Sequence, residues 1–263
     1  MTGLRPKKDG LAVSHIMHTL LNRLVFLAVL SPIFAASVPA SALAEPIAQP
    51  DAEQVVLLHG IARSASHMQE LAEFLTEAGY IVHNLDYPST DHNLESLASM
   101  VAEDIQARLS GTGPVHIVGY SMGGLVSRAI VTHYRPDNLG RVVQLAPPNG
   151  GSEIADLLQN NWLYQKIYGP AGQQLVTAGA GLEDLLGAVD YELGVIAGTA
   201  SIDPFSSFII PGADDGKVAV VNTKVTGMQD HLTVSASHTF FPQNHEVQAQ
   251  TLFFLRHGVF AQP

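Results

Sequence analysis

From residue 54 onward, short apolar runs alternate with helically spaced stretches along this chain. QVVLLHG (54–60) is a β-branched run closed by glycine, and HMQELAEFLTEAGY (67–80) then sets Met68, Leu71, Phe74 and Leu75 on one face of a helix. YIVHNLDYP (80–88) reads as a second strand stopped by Pro88. NLESLASMVAEDIQARLSG (93–111) follows as a long helix, with Leu94, Leu97, Val101, Ile105 and Leu109 at helical spacing. PVHIVGY (114–120), the helix MGGLVSRAIVTHY (122–134) and the strand GRVVQLAPP (140–148) continue the alternation. The pattern predicts an α/β fold, with a mostly parallel central sheet and helices on both faces. Beyond it, residues 149–192 hold helix-like pieces and four glycines between 169 and 181. LGVIAGT (193–199) reads as a fifth strand, KVTGMQDHLTV (224–234) contains a sixth, and NHEVQAQTLFFLRHG (244–258) is a closing helix.

Ahead of this region the chain has a different character. Arg5, Lys7, Lys8 and Arg23 form a positive front, LVFLAVLSPIFAA (24–36) is apolar, and SALA-E (41–45) supplies small residues before a cut after Ala44. Residues 1–44 are therefore expected to be a signal peptide and 45–263 one exported domain. The competing reading is a membrane anchor, but Pro32 and Pro39 interrupt the run, which falls short of the ~20 residues a span needs. Translation from Met17 instead of Met1 would give a shorter leader beginning MHTLLNR.

Loss of 1–44 removes four basic residues and one acid, leaving 9 Lys+Arg against 23 Asp+Glu, a net charge of −14 with His neutral. Such a surface repels phosphate backbones, so nucleic acid is not an expected partner. The chain has no cysteine, which excludes disulfides, thiol nucleophiles and cysteine metal sites.

The candidate chemistry centres on GYSMGG (119–124). Strand ends of a parallel sheet gather along one edge, and Ser121 stands there, between the strand VHIVGY and the helix MGGLVSRAI. The glycines clear space in so tight a turn, and the helix N-terminus places partial positive charge beside a developing oxyanion. HGIARS (59–64) leaves the first strand at the same edge. The backbone N–H of Ile61 would pair there with that of Met122 as oxyanion donors.

A serine nucleophile needs a base and the base an orienting acid. The chain order nucleophile, acid, histidine leaves His231, His238, His245 and His257. His231 precedes the apolar LTV at the wrong end of the last strand, and His245 and His257 lie on the final helix. His238, in SASHTFF, arrives at the correct edge. PGADDGKVAV (211–220) offers Asp215 and Asp214 as the acid, with Glu153 and Asp156 as further alternatives. Calcium at Asp203, Asp214 and Asp215 is disfavoured because a tight site needs six or more oxygens, so no metal is expected. His59 and His116 read as structural histidines.

Together these residues resemble the α/β-hydrolase superfamily, and within it the small bacterial lipases and esterases. The elements that carry the likeness are HGI (59–61), GYSMGG (119–124), DGKV (215–218) and His238, with DYPS (86–89) and PPNGGSE (147–153) beside them. The resemblance implies an α/β-hydrolase fold, Ser121 as nucleophile, Asp215 as acid and His238 as base. It also implies Ile61 and Met122 as the oxyanion hole, and no cofactor. The expected activity is that of a secreted serine carboxylic-ester hydrolase acting through an acyl-enzyme on a small-molecule ester or lipid, with transient contact to a lipid surface. An acyltransferase on the same residues, or a binding protein on a hydrolase scaffold, are the alternatives. The glycine-rich stretch 169–181 departs from the family pattern. Residues 149–192 are expected to cover the serine, with apolar residues among Leu157, Leu158, Trp162, Leu163, Ile167 and Tyr168 either walling an acyl pocket or packing as ordinary core.

Overall fold

The computed structural model describes residues 51–177 and 181–262. The expected signal peptide and its cut site lie outside the described residues. Strands β1 (Gln54–Leu58), β2 (Ile81–Leu85), β3 (Val115–Tyr120), β4 (Leu139–Leu145), β5 (Leu193–Gly198) and β6 (Asp230–Val234) form one sheet in the order β2-β1-β3-β4-β5-β6. Every neighbouring pair is parallel, so the carboxyl ends of all six strands share one edge. The mostly parallel α/β sheet read from the sequence is the sheet observed, and it is that of the α/β-hydrolase fold.

Helices α1 (Gln69–Glu77), α2 (Leu94–Arg108), α3 (Met122–His133), α4 (Glu153–Leu158) and α5 (Trp162–Gln173) fall in the first two-thirds of the chain. Helices α6 (Leu182–Leu186), α7 (Pro204–Ile209), α8 (Val220–Thr223) and α9 (His245–His257) follow. Successive side chains of a strand point to opposite faces, and here both faces are covered. Val56, Leu58, Val115, Ile117 and Val142 pack with α2 and α3. Val55, Leu57, Val118, Tyr120 and Val143 pack on the other face with α1 and α9. That double coverage is why β1 and β3 are continuous apolar runs buried at every position. Each fully buried Leu, Val or Phe in these layers contributes roughly 1.5–3 kcal/mol of transfer free energy.

Local signals set the helix boundaries. Asn93 accepts a hydrogen bond from Ser96 N–H at the start of α2, and Asn244 accepts from Glu246 and Val247 N–H at the start of α9. Between β4 and β5 the chain makes α4, α5 and α6. Helix α5 is broken at Gly169-Pro170, where Gly169 takes φ 58°, ψ −157° and proline cannot continue the backbone ladder. Gly169 thus marks a break in a helix whose Tyr164 and Tyr168 line the cavity that Ser121 also lines.

Candidate active site

Register places the first two components side by side. Leu58 of β1 pairs with Gly119 of β3, so the turn His59-Gly60-Ile61 emerges next to Ser121. Ser121 lies between the last residue of β3 and the first of α3, with φ 54° and ψ −124°, a conformation that L-residues rarely hold. It is held there by its N–H, which donates to Leu145 O at 2.8 Å, and by its carbonyl, which accepts from Gly124 N–H at 2.9 Å. The flanking glycines are required by contact. A Cβ on Gly119 would lie 2.4 Å from Gly123 O, and one on Gly123 would lie 2.4 Å from Leu58 O. Strand β3, helix α3 and strand β1 meet too closely here for any side chain.

The other two components hang from the opposite half of the sheet. Gly198 of β5 pairs with Val234 of β6, so the loops after these two strands run together. Asp215 comes from the first loop and His238 from the second, tied by His238 N–H donating to Asp215 O at 2.9 Å. The side chains then form a chain of hydrogen bonds. His238 Nδ1 lies 2.7 Å from Asp215 Oδ2, and His238 Nε2 lies 2.9 Å from Ser121 Oγ. Asp215 is 1% exposed, and its second oxygen accepts from Lys217 N–H at 3.0 Å and Val218 N–H at 2.9 Å. Both oxygens of the Asp215 carboxylate are thus engaged. With Nδ1–H donating to it, Nε2 presents a lone pair to the serine hydroxyl.

The neighbouring aspartate faces elsewhere. Asp214 Oδ1 accepts from Ser207 Oγ and from Gly216 N–H, both at 2.7 Å, and so closes its own turn. Asp203 is occupied by Lys217 Nζ at 2.9 Å and Ser206 Oγ at 2.6 Å. Asp203 and the adjacent pair Asp214 and Asp215 thus serve three different sets of partners. Among the described residues no group of three or more His, Asp or Glu is arranged to hold a metal ion.

The remaining histidines take structural positions. His231 sits second in β6, at the strand end away from the site, with Nε2 2.9 Å from Thr223 Oγ1. His245 and His257 are exposed on α9. His59 is fully buried and stacks on Tyr87 at 4.1 Å, its Nδ1–H donating to Gly60 O at 2.8 Å. Its Nε2 accepts from Tyr87 N–H at 3.3 Å and also lies 3.4 Å from Asp86. Burial lowers the His59 pKa, and an Nε2 that accepts from a backbone N–H is unprotonated, so the neutral ring prevails over an ion pair with Asp86. This ring, with Tyr87 O–H donating to His59 O, fixes the turn that carries Ile61. Ala62, at φ 52°, donates its N–H to Ser89 Oγ at 3.1 Å and completes the brace.

Sequence reasoning passed over several of these contributors. Tyr120, the variable residue of G-x-S, donates its hydroxyl to His238 O at 2.6 Å and is 2% exposed. Its ring lies between His67 and His238, with centroids 5.2 and 5.3 Å away. The DYPS motif supplies Tyr87 and Ser89, which gives that resemblance a physical role. Neither position carried a signal in periodicity.

Ser121 and His238 open into a cavity of about 200 Å³. Its apolar wall comes from residues 149–192, through Ile154, Leu158, Tyr164, Tyr168 and Leu175. Ile61 also lines it, whereas Met122 is fully buried. Leu157 and Trp162, named with Leu158 and Tyr168 as candidate wall residues, are 56% and 70% exposed and do not line the cavity. Leu163 and Ile167 are likewise exposed. On α4 and α5 the residues one helical step away turn inward instead.

Comparison with known proteins gives a consistent picture. The profile of the palmitoyl protein thioesterase family matches residues 54–180. A lysosomal thioesterase PPT2 homolog of Drosophila melanogaster is 32% identical over 104 residues, 37% of this chain and 36% of that protein. Lysosomal thioesterase PPT2 of Homo sapiens is 28% identical over 135 residues, 46% of this chain and 44% of that protein. The chain therefore matches less than half the length of these relatives. Among solved structures, the mature lipase BlEst2 of Bacillus licheniformis superposes with a TM-score of 0.64 at 24% identity, over 81% of this chain and 96% of that one. A metagenomic carboxyl esterase, MGS0156, gives 0.59 at 18% identity, over 72% of this chain and 65% of that one.

Proposed function

The chain belongs to the α/β-hydrolase superfamily, and on that premise we propose that it is an exported serine hydrolase that cleaves carboxylic esters or thioesters through an acyl-enzyme. The observation that carries this reading is the Ser121 Oγ–His238 Nε2 contact of 2.9 Å, continued to Asp215 at 2.7 Å, at the mouth of an apolar cavity. In the first half-reaction His238 Nε2 takes the hydroxyl proton as Ser121 Oγ bonds to the substrate carbonyl carbon. The carbonyl oxygen becomes an oxyanion facing the backbone N–H groups of Ile61 and Met122 and the N-terminus of α3. The imidazolium, steadied by Asp215, returns its proton to the leaving oxygen or sulfur as that bond breaks. Water then repeats the sequence: His238 takes one proton, the hydroxide releases the acid, and Ser121 recovers its hydrogen.

The thioester alternative draws support from the matched thioesterase family and the PPT2 proteins, and the oxygen-ester alternative from the lipase and esterase neighbours of like fold. The lysosomal relatives and the leader expected at 1–44 support a lumenal or exported location. Contact with a lipid surface is supported by α7, which leaves Phe205 72% and Phe208 90% exposed and whose N-cap Asp203 is paired with Lys217 of the cavity lining. A fluorophosphonate probe tests the core of the proposal. Purified protein should be modified at Ser121 alone, and the label should vanish in His238→Ala. Intact hydrolysis by protein that never labels would refute it. N-terminal sequencing of exported material should begin at or within a few residues of Glu45; an intact 24–36 stretch would point to an anchor.

A further inference from the structure

A second cavity, of about 640 Å³, shares only Pro148 with the lining of the one at Ser121. Val176, Leu182, Leu186, Val189 and Val225 wall it, and its charged lining residues are Arg128 and Glu183. Arg128, on α3, is 6% exposed, whereas Glu183 is exposed to solvent. Arg128 Nη1 donates to Asn149 Oδ1 at 3.2 Å, and Nη2 donates to Gly187 O at 2.9 Å. Asn149 and Gly187 themselves line the cavity, so the guanidinium stands at its wall between them. Of the five N–H donors of an arginine these two contacts use two, and Nη1 and Nη2 each keep a second N–H.

What this guanidinium lacks is a negative charge. It forms no ion pair among the described residues, and its Nε is buried without a hydrogen-bond partner. The Tyr191 hydroxyl, likewise buried without a partner, would neutralise it only as a phenolate, and burial pushes that pKa up to about 12. Burial also lowers the pKa of Arg128, yet a guanidinium stays protonated at any working pH. A buried cation left unpaired is costly, and an anion entering from the cavity would remove that cost. We infer that this cavity is a binding site for an amphiphilic monocarboxylate, its carboxylate on the Arg128 guanidinium and its tail against the apolar wall. The planar fork matches the two oxygens of a carboxylate. One buried cation is balanced by a monoanion, whereas a phosphate dianion would exceed it and meet the charge of Glu183 in the same lining. The apolar wall asks for a hydrocarbon tail, and the volume is that of a small-molecule site. The acid released in the hydrolysis proposed above is of this class, but the site does not depend on that reading.

Calorimetry with sodium octanoate below its micellar concentration tests the site without turnover, so an inert Ser121 does not affect the result. Octanoate should bind the wild-type protein at least about tenfold more tightly than octanol or acetate, which supply only the tail or only the charge. Octyl phosphate should bind more weakly than octanoate. Arg128→Met removes the charge and keeps an unbranched apolar chain; it should weaken octanoate by at least about tenfold and leave octanol unchanged. Thr226→Trp, at an exposed position of the same lining, narrows the cavity without entering the core and should weaken octanoate as much. That variant decides the matter should Arg128→Met fail to fold. Leu158→Trp narrows the Ser121 cavity instead and should leave octanoate binding as it is. Loss of binding in Leu158→Trp, with or without the other variants, would put octanoate at Ser121 and overturn the inference. So would octanoate that fails to bind the wild-type protein, an affinity unchanged in folded Arg128→Met or in Thr226→Trp, or tighter binding of octanol or octyl phosphate.

Discussion

Replacing Ser121 by glycine should make the protein more stable than replacing it by alanine, although alanine is ordinarily the better residue for a folded backbone. Ser121 sits at φ 54°, ψ −124°, and a non-glycine residue in such a region costs about 1–3 kcal/mol. Alanine keeps the Cβ and hence the strain; glycine removes both. Against that, glycine's extra freedom in the unfolded chain costs about 0.4–1 kcal/mol. Both variants lose the same hydrogen bond between Ser121 Oγ and His238 Nε2, so that loss cancels between them. The difference should favour glycine by about 1 kcal/mol, or about 2–4 °C in Tm for a domain of this size. Scanning calorimetry on the two variants in one buffer, with urea midpoints as a second measure, checks it. Both should be inactive, so stability is compared free of turnover. An alanine variant that melts at or above the glycine variant would refute the claim that this turn stores strain.

Three further outcomes follow from the same geometry. Ser121→Ala and His238→Ala should each lower kcat by about 10³-fold or more on a p-nitrophenyl ester, and Asp215→Asn by about 10⁴, while His231→Ala and Asp214→Asn retain most activity. Activity lost in Asp214→Asn but kept in Asp215→Asn would reverse the assignment of the acid. Leu158→Ala should depress kcat/KM progressively more as the acyl chain lengthens, by up to about 0.8 kcal/mol per methylene buried, whereas exposed Leu157→Ala should leave the chain-length profile flat. Burial lowers the pKa values of His59, His67, His83, His116 and His231 below 6.5, so the fold prefers their neutral forms. Stability contributed this way is complete above pH 6.5 and is lost as pH falls toward 4, so Tm should begin to drop near 6.5, before the carboxylates titrate; a Tm flat down to pH 5 would contradict it.

The elements that were legible in the sequence are those long enough to display a period. Strands of β-branched residues buried on both faces, and helices such as α2 with five apolar positions on one stripe, announce themselves. Helices of four to six residues, such as α4, α7 and α8, complete too little of a turn pattern to do so. The candidate site, as a set of residues that the fold brings together, was legible where chemistry and chain order coincide, at Ser121, His238 and the HGI turn. It was less legible where adjacent residues differ only in direction. Asp214 and Asp215 share composition and neighbours, and only the turn decides which carboxylate reaches the imidazole and which caps Gly216. Leu157 and Leu158 pose the same problem on a helix.

The strand order has a bearing on when such a chain becomes active. Ser121 and His238 are 117 positions apart, and they meet only when β3, β4, β5 and β6 have lined up in turn. Ser121 follows β3 in the middle of the sheet, whereas His238 follows β6 at its edge, the strand that comes latest in the chain. Pairings of such long range are among the slower steps in folding, because the loop must close before any contact rewards it. On the proposed mechanism, a chain still being made carries Ser121 without the histidine proposed to arm it. If Ser121 is the nucleophile proposed here, recovery of its reactivity during refolding would report the docking of β6, and activity would be withheld until the whole sheet is in place.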